Sequence, residues 1–463
     1  MADEREDARR PEQGLTRSDL LKRAGAGAAA AGLAGTVGVE KAYSFAGPLK
    51  YKGRWLKNEL KILQWVHFVP AYDKWFDNEW VKTWGEKNDT DVKVDHVNNQ
   101  ELPSRAASEV AAQQGHDLFQ FLSPPPAYED QVINHAPIVQ EVSKKLGKMG
   151  DLGYKSSYNP KTKKYYGFPD NYVPDPVVWR HDVWNDIGES PATWDHVLKA
   201  APKLKDRGHP LGIGMSNEID SNMANMALMM CFGSFVQNQA HRCTINSKNT
   251  VEVLNFMRSL YKAGMTNEVF GWNPASNNQF LYSGKGSLIL NAISATRTPE
   301  DLNLPFANDL WIWPIPKGPK GRMGLEHVMG VYVIWKFAKN KEGAQRYLAD
   351  QALNYRQHFV NSKFYNFPIW PKAVPDIKKL TASDTHKPKG KYTILNTIAA
   401  RYTTNVGHPG FANAAIDEIF NTFLVPQMFA QVAQDKMSAA DAARSAQNQM
   451  NAIFSKWRSQ GKI

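Results

Sequence analysis

The sequence has 463 residues, of which 42% are hydrophobic and 11% aromatic, and its formal net charge at pH 7 is +11. A chain of this length exceeds one ordinary hydrophobic core, so we expect at least two lobes, and the composition excludes intrinsic disorder. The charge raises nucleic acid, anionic membranes and acidic ligands as partners. Because lysine and arginine are dispersed along the sequence, we interpret the excess mainly as a solvated surface and expect no nucleic-acid partner.

The amino-terminal segment has the pattern of an export signal. A basic flank precedes a run of small, mildly apolar residues that begins at Ala24 and is too short to span a bilayer. The flank 16–22 is similar to the twin-arginine export motif, with Ser18 in place of the second arginine. We therefore predict that 1–46 is an export signal, with a twin-arginine-like route, and that the protein is periplasmic. The alternative is a helical tail retained on a cytoplasmic protein.

Strand and helix patterns alternate in the next part of the chain. Apolar periodicity predicts strands at 60–66, 91–97 and 117–122, and helices at 72–87 and 104–115. This alternation is typical of an α/β fold with a mostly parallel sheet, in which ligands bind beyond the carboxyl ends of the strands. Those ends correspond here to 64–68 and 121–124.

The segment 167–180 contains three prolines, which predict an extended crossing between lobes. Beyond it, Thr193 and Ser247 are predicted helix N-caps, and Gly264 is predicted to end the second of these helices. The remaining predicted elements are a helix at 221–232, strands that begin at 310 and 329, and helices at 341–353, 414–433 and 438–457.

The segment 282–290, Tyr-Ser-Gly-Lys-Gly-Ser-Leu-Ile-Leu, looks at first like the end of a phosphate-binding loop. A Walker loop has glycine where Gln279 stands, and serine or threonine where Gly286 follows the lysine. The apolar run after Lys285 also predicts a strand, whereas a phosphate loop opens a helix. We interpret the segment as a turn that returns the chain to a sheet and ends at Asn291.

The sequence has two cysteines, Cys231 and Cys243. An oxidising periplasm permits a disulfide between them, and two unpaired thiols are the alternative. Two cysteines cannot form a cysteine-rich zinc site, and no pair of histidines has the spacing of a metalloprotease helix. We therefore expect no metal and no cofactor.

Five segments, in the same order, resemble the extracellular solute-binding proteins of carbohydrate ABC importers, the maltose-binding-protein-like family 1. They are 165–204, with Tyr-Gly-x-Pro and Pro-x-Thr-Trp-Asp, 245–264, with Ile-Asn-Ser, 280–291, with Phe-x-x-Gly-Lys, and the strand-loop and helix at 313–322 and 339–348. Two departures stand out. The family's aromatic turn is missing after Asn291, and His196 replaces the usual glutamate.

The resemblance implies a two-lobed periplasmic binding protein fold (type II), in which each lobe is a mostly parallel sheet flanked by helices, with a hinge between. It places the amino-terminal lobe at 47–168 plus about 292–338, and the carboxyl-terminal lobe at 169–291 plus about 339–463.

The resemblance also implies a receptor, not an enzyme, that binds a sugar or oligosaccharide by hinge closure and delivers it to the membrane permease subunits of an ABC importer. The receptor would act as a monomer. One alternative is a binding protein for a polyol or an acidic sugar derivative, since the basic balance mildly favours an anionic ligand. The other is a carbohydrate-active enzyme, although nothing in the sequence pairs the two carboxylates that a glycosidase needs.

Sugar rings pack their C–H faces on flat aromatic side chains, and their hydroxyls need polar partners. Trp272 is the first candidate, because the family commonly has a ligand-facing tryptophan before Phe-x-x-Gly-Lys. The other candidates lie at strand ends, in the chain crossing, before the strand predicted from 329, at a late family position (Phe411) or at the rim of the cleft (Trp370); the remaining ones are His67, Phe68, Ser123, Asp170, Asn171, Asn291, Glu326 and His327. Tryptophans at helical spacing are predicted to be core: Trp75, Trp80, Trp84 and Trp194.

Overall fold

The computed structural model describes the backbone of 50–51 and 54–55 and all of 58–463. The predicted export signal lies outside these described residues. The strands, in chain order, are β1 (Lys50–Tyr51), β2 (Arg54–Trp55), β3 (Asn58–Trp65), β4 (Thr90–Val97), β5 (Leu118–Phe121), β6 (Tyr158–Asn159), β7 (Lys164–Tyr165), β8 (Phe168–Pro174), β9 (Val177–Arg180), β10 (Leu211–Gly212), β11 (Leu288–Leu290), β12 (Leu310–Trp313), β13 (Gly324–Ile334), β14 (Phe367–Pro368) and β15 (Thr403–Thr404).

Helices cover both sheets. They are α1 (Pro70–Trp75), which a π-helical turn at Phe76–Trp80 joins to α2 (Val81–Lys87), α3 (Leu102–Ala112), α4 (Ala136–Leu146), α5 (Asp151–Lys155), α6 (His181–Asn185), α7 (Trp194–Asp206), α8 (Ile219–Cys231), α9 (Lys248–Gly264), α10 (Ser276–Tyr282), α11 (Ser294–Asp301), α12 (Lys341–Leu353), α13 (Tyr355–Asn361), α14 (Ile377–Ala382), α15 (Leu395–Arg401), α16 (Ala414–Asn421), α17 (Leu424–Ala433) and α18 (Ala439–Ser459). No helix among the described residues is both long enough and apolar enough to cross a membrane.

Two sheets organise the fold. The larger has seven strands in the order β14-β8-β13-β5-β3-β4, with β15 beside β13, and the smaller has the order β10-β11-β9-β12. Both are mixed sheets and not the mostly parallel sheets that we predicted. Strand β3 runs parallel to β4 and β5, as the strand-helix alternation indicated, but β13 is antiparallel to β5 and β8. Strand β8 leaves the larger sheet for the smaller one and β13 returns to it, so their directions are opposed.

The chain passes between the sheets at two places. The extended segment predicted at 167–180 is β8 in the larger sheet followed by β9 in the smaller sheet, with Asp175 and Pro176 between them. The return runs from β12 in the smaller sheet to β13 in the larger one. The predicted lobe limits, 47–168 with about 292–338 and 169–291 with about 339–463, stay a prediction.

Strand β13 begins at Gly324, five residues earlier than the start predicted at 329. Glu326 and His327 therefore lie within the strand and do not precede it. The ladder is extended by β15, which pairs Gly324 with Thr403, and by β8, which pairs Glu326 with Pro174. Because these partners are distant in sequence, the local pattern of polar residues indicated a loop instead.

The predicted helix caps are confirmed. The Thr193 hydroxyl accepts from the backbone N–H of His196 at 3.1 Å, and the Ser247 hydroxyl accepts from that of Thr250 at 3.1 Å. Helix α9 ends at Gly264, as predicted. The helix predicted at 414–433 is instead divided into α16 and α17 by Phe423, whose φ of 56° is left-handed and interrupts the helical path.

The tryptophans predicted as core pack as expected. Trp80, Trp84 and Trp194 are buried, and Trp75 is partly buried against the core. Trp80 donates its indole N–H to the Tyr347 hydroxyl at 3.0 Å, and Trp84 donates to a carboxylate oxygen of Asp350 at 2.9 Å. These bonds satisfy the polar end of each ring while its apolar body stays buried.

The turn predicted at 282–290 is confirmed. Gly284 has a φ of +75°, which a glycine adopts without steric cost, and the chain then enters β11 between β10 and β9. The two cysteines are free thiols, so the structure takes the second of the two alternatives. Cys231 is buried, with its sulfur 3.5 Å from the Met323 carbonyl oxygen.

The cap of α9 gives a stability test. Ser247→Ala removes the side-chain acceptor for the Thr250 N–H and should lower the free energy of unfolding by about 1 kcal/mol in urea denaturation. Ser259→Ala is the matched control, because Ser259 is exposed on the same helix and its hydroxyl bonds only to the Asn255 carbonyl. Equal effects of the two changes would contradict the capping role.

Candidate functional site

A cavity of about 580 Å³ lies beyond the carboxyl ends of β4 and β5 and in front of the amino terminus of α8. We call it the cleft cavity; its lining includes Ser123, Tyr128, Glu218, Asp417, Phe423 and Trp457. The volume lies within the range of small-molecule pockets, roughly 300–1,000 Å³. The position agrees with the expectation that a ligand binds beyond the strand ends of an open α/β sheet.

The wall of the cleft cavity combines aromatic and polar side chains. Aromatic rings come from Phe121, Tyr128, Phe420, Phe423 and Trp457. The polar groups are amides, hydroxyls and carboxyls on the surrounding loops and helix ends; they include Asn99, Gln100, Ser104, Ser123, Asn217 and Asn421. Flat apolar surfaces beside convergent hydrogen-bonding groups suit a ligand with one apolar face and many hydroxyls.

The side-chain carboxyl group of Glu218 caps the amino terminus of α8. Glu218 accepts the backbone N–H of Asp220 at 2.7 Å and that of Ser221 at 2.5 Å, and it also accepts the Ser221 hydroxyl. Burial, together with the neighbouring Asp220, raises the pKa of Glu218 to about 8. Glu218 thus faces the cleft cavity while it satisfies the first N–H groups of the helix.

Beside the cleft cavity, an ion triad joins three elements. The buried imidazole of His327 in β13 lies 3.3 Å from Asp175, in the passage between the sheets, and 3.3 Å from Asp220 in α8. Burial alone would lower the pKa of His327, but the two carboxylates outweigh it and raise the pKa to about 9. The imidazole is therefore a cation at neutral pH and binds both carboxylates.

Glu326, next to His327 in the strand, has a different environment. One of its carboxyl oxygens accepts the backbone N–H of Val406 at 3.0 Å. Burial raises the pKa of Glu326 well above its usual range, because a buried site disfavours the charged carboxylate. Neighbouring residues of a strand point to opposite faces, which separates this carboxyl group from the ion triad.

Asp170 and Asn171, on β8, belong to a hydrogen-bonded set inside the larger sheet. Asp170 accepts bonds from Asn171 at 2.7 Å, Gln351 at 2.8 Å and Gln120 at 3.2 Å. Burial raises the pKa of Asp170 to about 7 against the effect of these donors. Across the passage, Asn291 donates its amide to Asn278 at 2.6 Å and its backbone N–H to the Pro176 carbonyl at 3.2 Å.

His67 follows β3 and is fixed in one tautomer. Its Nδ1 accepts the backbone N–H of Val69 at 2.9 Å, so its Nε2 carries the proton and donates to Asn366 Oδ1 at 3.1 Å. Burial lowers the pKa of His67 to about 4, which keeps the ring neutral. Phe68 is half-buried with its ring against Trp65, at a centroid distance of 5.1 Å.

Of the residues predicted to bind ligand, Ser123 lines the cleft cavity. Trp272 is buried against Phe280, with ring centroids 5.4 Å apart. Its indole also packs closely on the backbone of Gly212, where a Cβ atom would come within 2.6 Å of the ring. Trp370 stacks on Phe168, and Phe411 is half-buried among Tyr154, Tyr158 and His241. The ligand-binding roles of all eleven candidates stay predictions.

Several side chains of the site were missed in the sequence. Glu218 had a readable signal, because a polar residue three positions before Ser221 at a helix start can act as a cap. Asp175 lies in the proline-rich crossing, but nothing local indicates that it meets His327 or Asp220. Phe423 was assigned to the middle of a helix, which concealed its exposure to the cleft cavity. Among the described residues, no group of His, Cys, Asp and Glu is arranged to hold a metal ion.

The comparisons with known proteins agree with this geometry. A family model described as "Bacterial extracellular solute-binding protein" matches residues 69–349, more than half of the chain. The chain therefore belongs to the bacterial extracellular solute-binding proteins, as the ordered motifs predicted. No curated protein sequence matches it.

Solved structures show the same fold. An ABC transporter solute binding protein from Thermotoga lettingae, bound with α-D-tagatose, has a TM-score of 0.71 at 15% identity and covers 86% of this chain and 100% of its own. Maltose-bound MalE3 of T. maritima has a TM-score of 0.70 at 15% identity, with coverage of 86% and 100%. A sugar transporter from Arthrobacter chlorophenolicus with bound laminaribiose has a TM-score of 0.70 at 15% identity, with coverage of 86% and 99%. The chain has their two-lobed fold.

The ion triad predicts a specific pH dependence of stability. The pKa of His327 is about 9 in the folded protein and near 6.5 in the unfolded chain, so its contribution is fully present below pH 6.5 and is lost as pH rises through 9. That loss should be on the order of 3 kcal/mol in urea denaturation. His327→Gln should lower the free energy of unfolding at pH 6.5 and should remove this part of its decrease with rising pH.

His196→Gln is the matched control, because His196 is exposed on α7. We expect this variant to keep the wild-type dependence between pH 6.5 and 9. An unchanged slope in His327→Gln would show that the triad is not the source of the dependence.

Proposed function

We propose that this protein is the substrate-binding receptor of an ABC importer, which binds a sugar or oligosaccharide between its two lobes and delivers it to membrane permease subunits. The observation that carries the proposal is the cleft cavity, which lies beyond strand ends of the larger sheet and is lined by aromatic rings and by hydroxyl- and amide-bearing side chains. The tagatose, maltose and laminaribiose bound to proteins of the same fold support a saccharide as the ligand class.

The mechanism we propose is hinge closure at the two passages between the sheets. Asp175 lies in one passage, and the ion triad connects it to β13 on one side and to α8 on the other. A ligand that contacts both walls of the cavity binds the closed form more tightly and shifts the population toward it. The permease then recognises the closed form by its differential affinity.

Buried oxygens near the passage support a polar ligand. In the described part of the chain, Asn171 Oδ1, Asn222 Oδ1 and Asn291 Oδ1 are buried and have no hydrogen-bond partner. Buried polar atoms are almost always paired in folded proteins. We propose that Asn171 and Asn291 act with the other candidates, Trp272, Asp170, Phe68, His67, Ser123, Glu326, His327, Phe411 and Trp370, in binding or in ordering the ligand site.

The remaining parts of the proposal concern the setting. We infer that the protein is periplasmic after export by a twin-arginine-like route, acts as a monomer and catalyses no reaction. Its family consists of extracellular solute-binding proteins, which supports the first part. Incubation with maltose, laminaribiose and longer glucans tests whether the protein catalyses a reaction, since release of monosaccharide would establish a carbohydrate-active enzyme instead.

A thermal-shift screen against a sugar library tests the ligand class. A ligand present at 100 times its Kd should stabilise the protein by about 2.7 kcal/mol, which is readily measured as a rise in Tm. Hits should then give saturable binding in calorimetry. If no mono- or oligosaccharide raises Tm while a peptide or amino-acid library does, the receptor binds another class of solute.

Phe423 gives a sharper test, because we expect its backbone conformation to lower the stability of the protein and its ring to strengthen sugar binding. Its φ of 56° is unfavourable for a bulky residue, at a cost of about 1 kcal/mol, and its ring is half-buried in the wall of the cleft cavity. Phe423→Gly should therefore maintain or raise the free energy of unfolding. It should weaken binding of the best sugar about tenfold, on the ~1–3 kcal/mol scale of stacking on an aromatic platform.

The control for Phe423 is Gln113→Gly, at an exposed residue with a φ of 50° after α3. This change also relieves a left-handed backbone but should leave sugar affinity unchanged. Loss of stability without loss of affinity in Phe423→Gly would assign the ring a purely structural role.

A further inference from the structure

The titratable side chains that line the cleft cavity are acidic. Among the described residues, the lining includes three that carry carboxyl groups, Glu218, Asp417 and Glu418, and no lysine, arginine or histidine. A base does approach the rim, where the 46% exposed Lys456 side chain pairs with Glu418, so these two groups offset each other's charge. The net charge of +11 therefore does not extend into the cavity.

The amino terminus of α8 is not available to an anion either. A helix of this length has a partial positive charge at its first turn, which in many proteins binds phosphate or carboxylate groups of ligands. Here Glu218 accepts two of the first backbone N–H groups and the Ser221 hydroxyl. The carboxyl group of Glu218 thus occupies the position at the helix terminus that the anionic group of a ligand would use.

Asp417 is held in place in a similar way. One of its carboxyl oxygens accepts the backbone N–H of Ala127 at 3.2 Å, and the other accepts the amide of Asn421 at 2.6 Å. Asp417 is buried, and Glu418 accepts the indole N–H of Trp457 at 2.6 Å. These bonds hold the carboxyl groups in the cavity wall, so they cannot turn away when a ligand enters.

We infer that the site accepts saccharides without negative charge and rejects sugar acids and sugar phosphates. This inference rests on the proposed function and adds to it the charge class of the ligand. An anionic group that entered the cavity would lose its hydration and gain no unpaired cationic partner, and it would lie against the acidic side chains of Glu218 and Asp417 and the Glu418–Lys456 ion pair. A neutral sugar hydroxyl can instead donate hydrogen bonds to the same carboxyl oxygens.

Matched pairs of probes test the inference by calorimetry on the full mature chain in 0.15 M salt. The neutral members are glucose, galactose and the disaccharides that raise Tm in the screen, and the anionic members are glucuronic acid, galacturonic acid and glucose 6-phosphate. We expect the Kd of each anionic member to be at least tenfold higher than that of its neutral counterpart. An anionic member that binds as tightly as its counterpart overturns the inference but leaves the sugar receptor in place.

The cause is tested with Glu418→Gln and Asp417→Asn, which keep the shape of each side chain and remove its ability to carry a negative charge. A unit charge at the rim of a solvated pocket contributes on the order of 1 kcal/mol, so either change should narrow the anionic-to-neutral Kd ratio about fivefold. The anionic-to-neutral Kd ratio reports the effect of charge, because local damage to the site would weaken binding of the anionic and the neutral sugar alike. A ratio unchanged in both variants overturns the inference, whereas a wild-type protein that binds no saccharide of either class refutes the proposed function and, with it, this inference.

Discussion

The arrangement of the site depends on one buried cation, the imidazolium of His327, which binds a carboxylate on each side. Asp175 belongs to the passage between the sheets, Asp220 to α8, and His327 to the strand that returns to the larger sheet. Removing the cation would leave two carboxylates buried without a counter-charge, which costs several kcal/mol. The triad therefore ties the first turn of α8, beside the cleft cavity, to β13 and to the passage between the sheets.

This connection explains why the cavity wall is well defined although it is built from distant segments. Asp220 is in the first turn of α8, directly after the capping Glu218 that faces the cavity. The same turn also contacts α10, where the side-chain amide of Asn277 donates a hydrogen bond to Asp220 at 2.6 Å. In the hinge closure that we propose, a displacement of α8 would stretch or exchange these polar contacts, so the closure would switch between discrete arrangements instead of sliding continuously.

The sequence predicted the elements well where local periodicity determines them, and poorly where distant pairing does. The caps at Thr193 and Ser247, the strands beside β3 and the turn at Gly284 all follow from neighbouring residues, and the structure has them. The start of β13 depends on pairing with β8 and β15, so Glu326 and His327 were misplaced. Contacts such as His327 with Asp175, and the left-handed backbone at Phe423, leave no periodic pattern in a single sequence. Of the predicted site, Ser123 could be located from a strand end, whereas the carboxyl groups of the cavity could not.

The charge of the whole chain is a poor guide to the charge of its site, and the reason is physical. A net excess of dispersed lysine and arginine acts through solvent, where salt screens it beyond a Debye length of about 8 Å at physiological ionic strength. Inside the cleft cavity, the groups that a ligand meets are those in van der Waals contact with it, and these are carboxyl groups, amides, hydroxyls and aromatic rings. The local set also has little water to screen it, because Glu218 and Asp417 are buried. For the saccharide ligand that we propose, selectivity would therefore be decided by these few groups, and the basic exterior would affect solubility and long-range encounter.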